Sequence, residues 1–132
     1  MAEFEKKNVP KGTVLFKEGD KGEEAFLIVS GKIQLRRDVL SEYPQILSTV
    51  GPGDVVGEMA LFDNRPRLAE AMVFEDAVVF VIPRDDFSAR LSKMNPVMRR
   101  ILQIMVQRVR RMTDEFMQRK QTAKWGENWK GK

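Results

Sequence analysis

The 132-residue sequence contains neither cysteine nor histidine, and each absence removes a class of chemistry. Without cysteine there is no disulfide, no thiolate metal site and no thiol nucleophile. Without histidine there is no imidazole ligand and no histidine-based acid–base catalysis. An enzyme would have to work through carboxylates or lysines alone, so catalysis is not expected. Long apolar runs are missing too: no stretch of eighteen apolar residues occurs, and no transmembrane helix is expected. The opening residues Met1-Ala2-Glu3-Phe4-Glu5-Lys6-Lys7 lack the apolar stretch of a signal peptide, which points to the cytoplasm.

The length fits one domain with a real core. Its net charge of +4 is unevenly spread. Residues 1–98 carry thirteen Lys/Arg against sixteen Asp/Glu, giving −3, and residues 99–132 carry ten against three, giving +7. Such a basic end can meet nucleic acid or an acidic partner. A solvated helix face with a basic tail is the plainer reading, and the one preferred here.

From Val9 onward the chain reads as short β-type runs punctuated by glycine, proline and aspartate. Residues 13–16, 25–29, 32–36, 46–50, 68–74 and 77–82 are expected strands. Ser30-Gly31 is an expected hairpin turn, Glu75-Asp76 the join between two further strands, residues 38–44 a polar connection, and Gly51-Pro52-Gly53-Asp54 a further turn. The first eight residues fit a short helix or a loose arm equally well. Many short strands at this spacing suggest a sandwich or barrel; a metal-binding cupin has such an architecture, but its imidazole ligands are missing. Near Pro83 the texture becomes helical. Asp85 or Asp86 is expected to cap a short helix through Ser92. Asn95-Pro96 starts a second helix, with Asn95 as N-cap and Pro96 in the first turn. Met98, Leu102, Met105, Val109, Met112 and Phe116 recur at alternating steps of four and three, a heptad seam that Ile101 and Val106 widen.

The most informative stretch is Gly57-Glu58-Met59-Ala60-Leu61-Phe62-Asp63-Asn64-Arg65-Pro66-Arg67-Leu68-Ala69. A short segment with free backbone N–H groups stands ten residues before an arginine. Amides and a guanidinium fork together seat a phosphate. Glu58 would repel that anion, so its natural partner is a hydroxyl pair such as a ribose carries. The combination reads as a pocket for a sugar phosphate.

Val56-Gly57-Glu58-Met59-Ala60-Leu61 and Pro66-Arg67-Leu68-Ala69-Glu70 resemble the phosphate-binding cassette of the cyclic nucleotide-binding domain family. Phe16-Lys17-Glu18-Gly19-Asp20, Ala25-Phe26-Leu27-Ile28-Val29-Ser30-Gly31-Lys32-Ile33 and Gly51-Pro52-Gly53-Asp54-Val55 extend the resemblance over about residues 10 to 120. It implies a mainly β fold, a double-stranded β-helix or jelly roll (the β-roll, about residues 9–83), followed by a short and a long helix (about 84–122) and a flexible basic tail (123–132), all in one domain. It also implies a cyclic nucleotide as ligand and no other cofactor or metal. By the resemblance Arg67 pairs with the cyclic phosphate and Glu58 accepts from the ribose 2′-hydroxyl. Ala60 and Leu68 offer backbone N–H groups, and Met59 lies within the cassette. Gly57 either lets the backbone approach the sugar or supplies a positive φ. Val56 and Val50 either touch purine or ribose, or simply pack in the core.

Two positions depart from the family pattern. Leu68 stands where a hydroxyl residue often favours guanine, which tilts the expectation toward cAMP over cGMP. Glu70 stands where a small or hydroxyl residue is usual; by strand alternation it shares a face with Leu68. Its expected partners are Arg65, a helix arginine or an amino group.

The leading expectation is a non-enzymatic sensor of cAMP, with cGMP as the other candidate, in which Leu61 and Phe62 pass occupancy to Phe87 and Leu91. The methionine-rich seam is expected to form a parallel homodimer, as in the family's transcription factors, although in other members this helix serves as a lid. The competing expectation is a dimerising interaction module whose pocket no longer binds nucleotide. An unknown protein partner is compatible with either. Nucleic-acid binding is not expected, since no helix-turn-helix follows the long helix.

Overall fold

The computed structural model describes residues 4–130, and side chains as far as residue 116. Six strands form one antiparallel sheet: β1 (Glu5–Val9), β2 (Val14–Phe16), β3 (Glu24–Arg37), β4 (Gln45–Val50), β5 (Val55–Val56) and β6 (Glu70–Pro83). A 3₁₀ turn, Glu58–Leu61, lies between β5 and β6. Two helices follow, α1 (Arg84–Ser92) and α2 (Pro96–Lys130). Two compact units result, residues 1–91 with the sheet and most of α1, and residues 92–132 with α2. The mainly β class with a short and a long C-terminal helix is the one expected.

The frame is the pair β3 and β6, fourteen residues each, running antiparallel from Glu24↔Pro83 to Arg36↔Glu70. Each long strand changes its second partner halfway. β3 pairs β5 through Phe26 and Leu27, then β4 from Ile33 to Arg37. β6 pairs β2 through Ala71 and Met72, then β1 from Ala77 to Val81. A sheet whose two central strands exchange neighbours in this way curls into a roll.

The expected hairpin turn at Ser30-Gly31 and the expected strand break at Glu75-Asp76 are both absent: each site lies inside a long strand. Between Ile28↔Val79 and Ile33↔Val73, five steps along β3 match six along β6, with register shifts at Ser30 and Lys32. Gly31 has φ +85°, and a Cβ there would collide with the Asp76 carbonyl oxygen and lie 2.6 Å from the Ala77 Cα. The glycine therefore marks a β-bulge where two backbones nearly touch. A one-residue offset flips which side of a strand faces inward. Phe26 and Ile28 are buried before the bulge, and Ile33 and the half-buried Leu35 face the core after it. On β6 the parity is kept, through Ala71, Val73, Ala77, Val79 and Val81. These residues, with Val9 and Val56, form the core.

The first eight residues correct another expectation. Residues 5–8 belong to β1, neither a helix nor a loose arm, and residues 1–3 lie outside the described residues. Glu5, Lys6, Lys7 and Asn8 are all exposed and carry no apolar alternation; only Val9 is buried. Backbone pairing to β6 holds them, and charged side chains on such a strand discourage further pairing.

Asn95 caps α2 as expected, its Oδ1 accepting from the N–H of Val97 at 2.9 Å. Asp85 and Asp86 do not precede α1 but occupy its first turn, where acids suit the helix dipole. The backbone of α2 continues past the expected end near residue 122, through Gly126, to Lys130. The side chains of Trp125 and Trp129, and residues 131–132, lie outside the described residues. No helix among the described residues is long and apolar enough to cross a membrane.

Candidate functional site

Gly57 precedes the 3₁₀ turn with φ 73° and ψ 19°. The positive-φ reading of this glycine holds, since the φ is left-handed, and a Cβ there would also collide with the Arg67 Nη1 and stand 3.1 Å from Phe16 Cε2. Glu58 and Met59 open the turn, so their N–H groups precede any intrahelical acceptor. Ala60 departs from expectation. Its N–H is not free but donates to Gly57 O at 3.1 Å, and its side chain is buried.

Arg67 is brought to this turn by the chain around it. Its N–H donates to Asp20 O and its carbonyl accepts from Gly19 N, each at 2.8 Å, while Pro66 bridges to Lys21. The side chain is turned inward and only 8% of the residue is exposed. Nη1 donates to Gly57 O at 3.2 Å and Nη2 to Glu24 O at 2.6 Å. Nε is buried and meets no acceptor. The Cζ sits 4.0 Å from the centroid of the Phe16 ring. Burial pushes the guanidinium below its ordinary pKa, with Glu24 and Asp20 opposing that shift and Glu58 adding a smaller opposing share. The group stays a cation at any physiological pH. A desolvated cation with one N–H unmatched suits an anion whose oxygens accept hydrogen bonds.

The structure thus brings Gly57, Glu58, Met59, Ala60 and Arg67 together. Val56 pairs with Phe26 and is buried in the core. Val50 ends β4 opposite Ile33, half-buried against the same core. Leu68 follows Arg67 in a bend and is 37% exposed.

Glu70 is paired differently from every expectation. Its Oε2 accepts from Arg36 Nε at 3.0 Å and from Arg36 Nη2, and Arg36 is its cross-strand neighbour. Strand alternation does not link it to Leu68, because residues 68–69 form a bend before β6 begins. The carboxylate is therefore matched by its own cation.

Three residues of this region escaped the sequence reading. Phe16 covers Arg67. Gly22 approaches so closely that a Cβ there would lie 2.8 Å from the Ala60 Cβ and 3.2 Å from the Arg67 Cζ. Arg84, the first residue of α1, donates to Ala60 O at 2.6 Å and Gly22 O at 2.7 Å, and also to Asp63 O and Asn64 Oδ1. Behind the turn, Phe62 meets Phe87 of α1 edge to face, with centroids 5.3 Å apart. That contact joins two of the residues named as carriers from the sequence. The only sequence signal for Arg84 was its place at the strand-to-helix junction.

The profile of the cyclic nucleotide-binding domain family matches residues 6–93, and the chain belongs to that family. It is 32% identical over 107 residues to the cyclic AMP receptor protein of Thermus thermophilus, a match covering 81% of this chain and 50% of that protein. The chain spans about half the length of such curated relatives. The crystal structure of the Thermus thermophilus catabolite activator protein superposes with a TM-score of 0.70 at 31% identity, covering 86% of this chain and 53% of that one. The cAMP-bound form of the EAL enzyme Bd1971 superposes with a TM-score of 0.68 at 26% identity, over 84% of this chain and 29% of that one.

Proposed function

We propose that this chain is a non-enzymatic cyclic-nucleotide sensor that takes cAMP in preference to cGMP. Arg67 engages the cyclic phosphate and Glu58 the ribose 2′-hydroxyl. Backbone N–H groups of Glu58, Met59 and Leu68 complete the phosphate seat, while Val56 and Val50 back the pocket. The observation that carries this reading is the inward, desolvated Arg67 with an unmatched Nε beside Gly57. The pairing of Glu70 with Arg36 supports it further, since the one acid that argued against an anion is neutralised locally. The preference for adenine rests on Leu68, which has no hydroxyl for guanine. The EAL enzyme Bd1971 has been solved in a cGMP-bound form as well as with cAMP, so the fold itself does not choose.

Occupancy passes from the turn to α1 along Phe62–Phe87 and through Arg84, whose carbonyl acceptors are Ala60 and Asp63 in the cassette segment and Gly22 outside it. A ligand achieves this only by favouring one arrangement of the turn over another.

Calorimetric titration with both nucleotides tests the reading. The expected result is cAMP binding with weaker cGMP binding, and a loss of roughly 2–5 kcal/mol on Arg67→Ala. Absence of heat at millimolar concentrations of both ligands would overturn it and leave the dimerising interaction module in its place.

A further inference from the structure

We propose that Phe16 is a positioning residue for Arg67, its ring fixing the plane in which the guanidinium meets the phosphate; the inference rests on the nucleotide reading above. Two hydrogen bonds from the terminal nitrogens, at 3.2 Å and 2.6 Å, hold the guanidinium at one end only. Nε has no acceptor and cannot contribute to its orientation. The flat ring 4.0 Å from Cζ supplies the missing constraint. It also offers the negative face of a π-system to a cation stripped of water.

Phe16 is itself held in place. Its ring stacks on Phe26 of the core with an interplanar angle of 23°. Its direction is set by the backbone: Val14 pairs with Met72 and Phe16 with Ala71, so two steps on β2 match one on β6 and Leu15 is the inserted residue. Bulges of this kind re-aim a side chain next to a functional site. An aliphatic residue at position 16 would fill the space, but would provide neither a flat surface nor a quadrupole.

Phe16→Leu removes the ring and keeps apolar bulk, whereas Phe16→Tyr keeps the ring. The ligand-free readout is the arginine Nε–H spectrum of ¹⁵N-labelled protein, with the Arg67 resonance assigned by its loss in Arg67→Lys. Under the proposal this resonance is displaced by the ring current in wild type and in Phe16→Tyr, and moves toward the unperturbed arginine position in Phe16→Leu. The bound-state readout is titration with cAMP. Phe16→Leu weakens binding about threefold to thirtyfold, and Phe16→Tyr stays within about twofold of wild type. In an Arg67→Lys background Phe16→Leu costs nothing further, a coupling that packing alone would not produce. An Arg67 resonance that ignores Phe16→Leu, or equal weakening by Leu and Tyr, overturns the proposal. A wild-type chain that takes up no cAMP sinks the nucleotide reading, and the resonance alone then decides whether Phe16 orients Arg67.

Discussion

Glu70 is 6% exposed, yet its carboxylate lies opposite Arg36 on the neighbouring strand and shares two hydrogen bonds with it. The pair belongs to the β3–β6 ladder and has no part in the proposed phosphate seat. Replacing Glu70 by Thr, a hydroxyl residue without charge, should therefore alter stability and leave affinity alone. We expect urea unfolding to report a loss of about 1–3 kcal/mol, below the figure for a fully buried pair because Arg36 remains partly solvated. The cAMP affinity should stay within about threefold of wild type; a tenfold change would place Glu70 in the pocket. The cassette was legible in the sequence because its chemistry needs particular residue types, a glycine, a carboxylate and an arginine, at fixed spacing. Arg84 was not legible: most of its acceptors are backbone carbonyls, which any residue supplies and no motif records. Phe16 is visible in the sequence only as a strand residue, because its service to Arg67 depends on a bulge that periodicity does not reveal.

In the two long strands, turn-type residues sit inside continuous β structure. Glycine, serine and aspartate at residues 30–31 and 75–76 are the usual punctuation of a turn, and the same residues permit a bulge at a crossing. Length was the only discriminator, and short runs on either side of each site concealed fourteen-residue strands. β1 escaped because strand pairing, not an apolar face, holds it. The α2 start was legible from Asn95-Pro96, whose cap geometry is purely local. At the crossing, Gly31→Ala should be among the most damaging single-methyl changes in the chain. The added Cβ would collide with the Asp76 carbonyl and stand 2.7 Å from the Ala77 Cβ, at a φ that alanine resists. Denaturant titration should show a loss above about 2 kcal/mol. A loss under 0.5 kcal/mol would mean that the two strands separate there at little cost.

At the scale of the whole molecule, α2 carries an exposed apolar seam among the described residues. Met98, Met105, Val109, Met112 and Phe116 are between 45% and 65% exposed, and with the half-buried Leu102 they follow the heptad spacing. We propose that a second copy of the chain covers this seam in parallel. Sedimentation equilibrium should then give twice the chain mass for wild type, and the monomer mass for a Met105→Glu, Met112→Glu double variant whose circular dichroism is unchanged. A wild type that sediments as a monomer at high micromolar concentration would exclude it. On the proposed sensor reading, the contact between Phe62 and Phe87 also has a consequence in the direction opposite to signalling. Free-energy coupling is reciprocal. A protein that grips α1 in the arrangement the nucleotide favours must tighten nucleotide retention by the same factor. Sensitivity to the messenger would then be set partly by whatever the helix has already met in the cell, and the same chain would report different thresholds in different company.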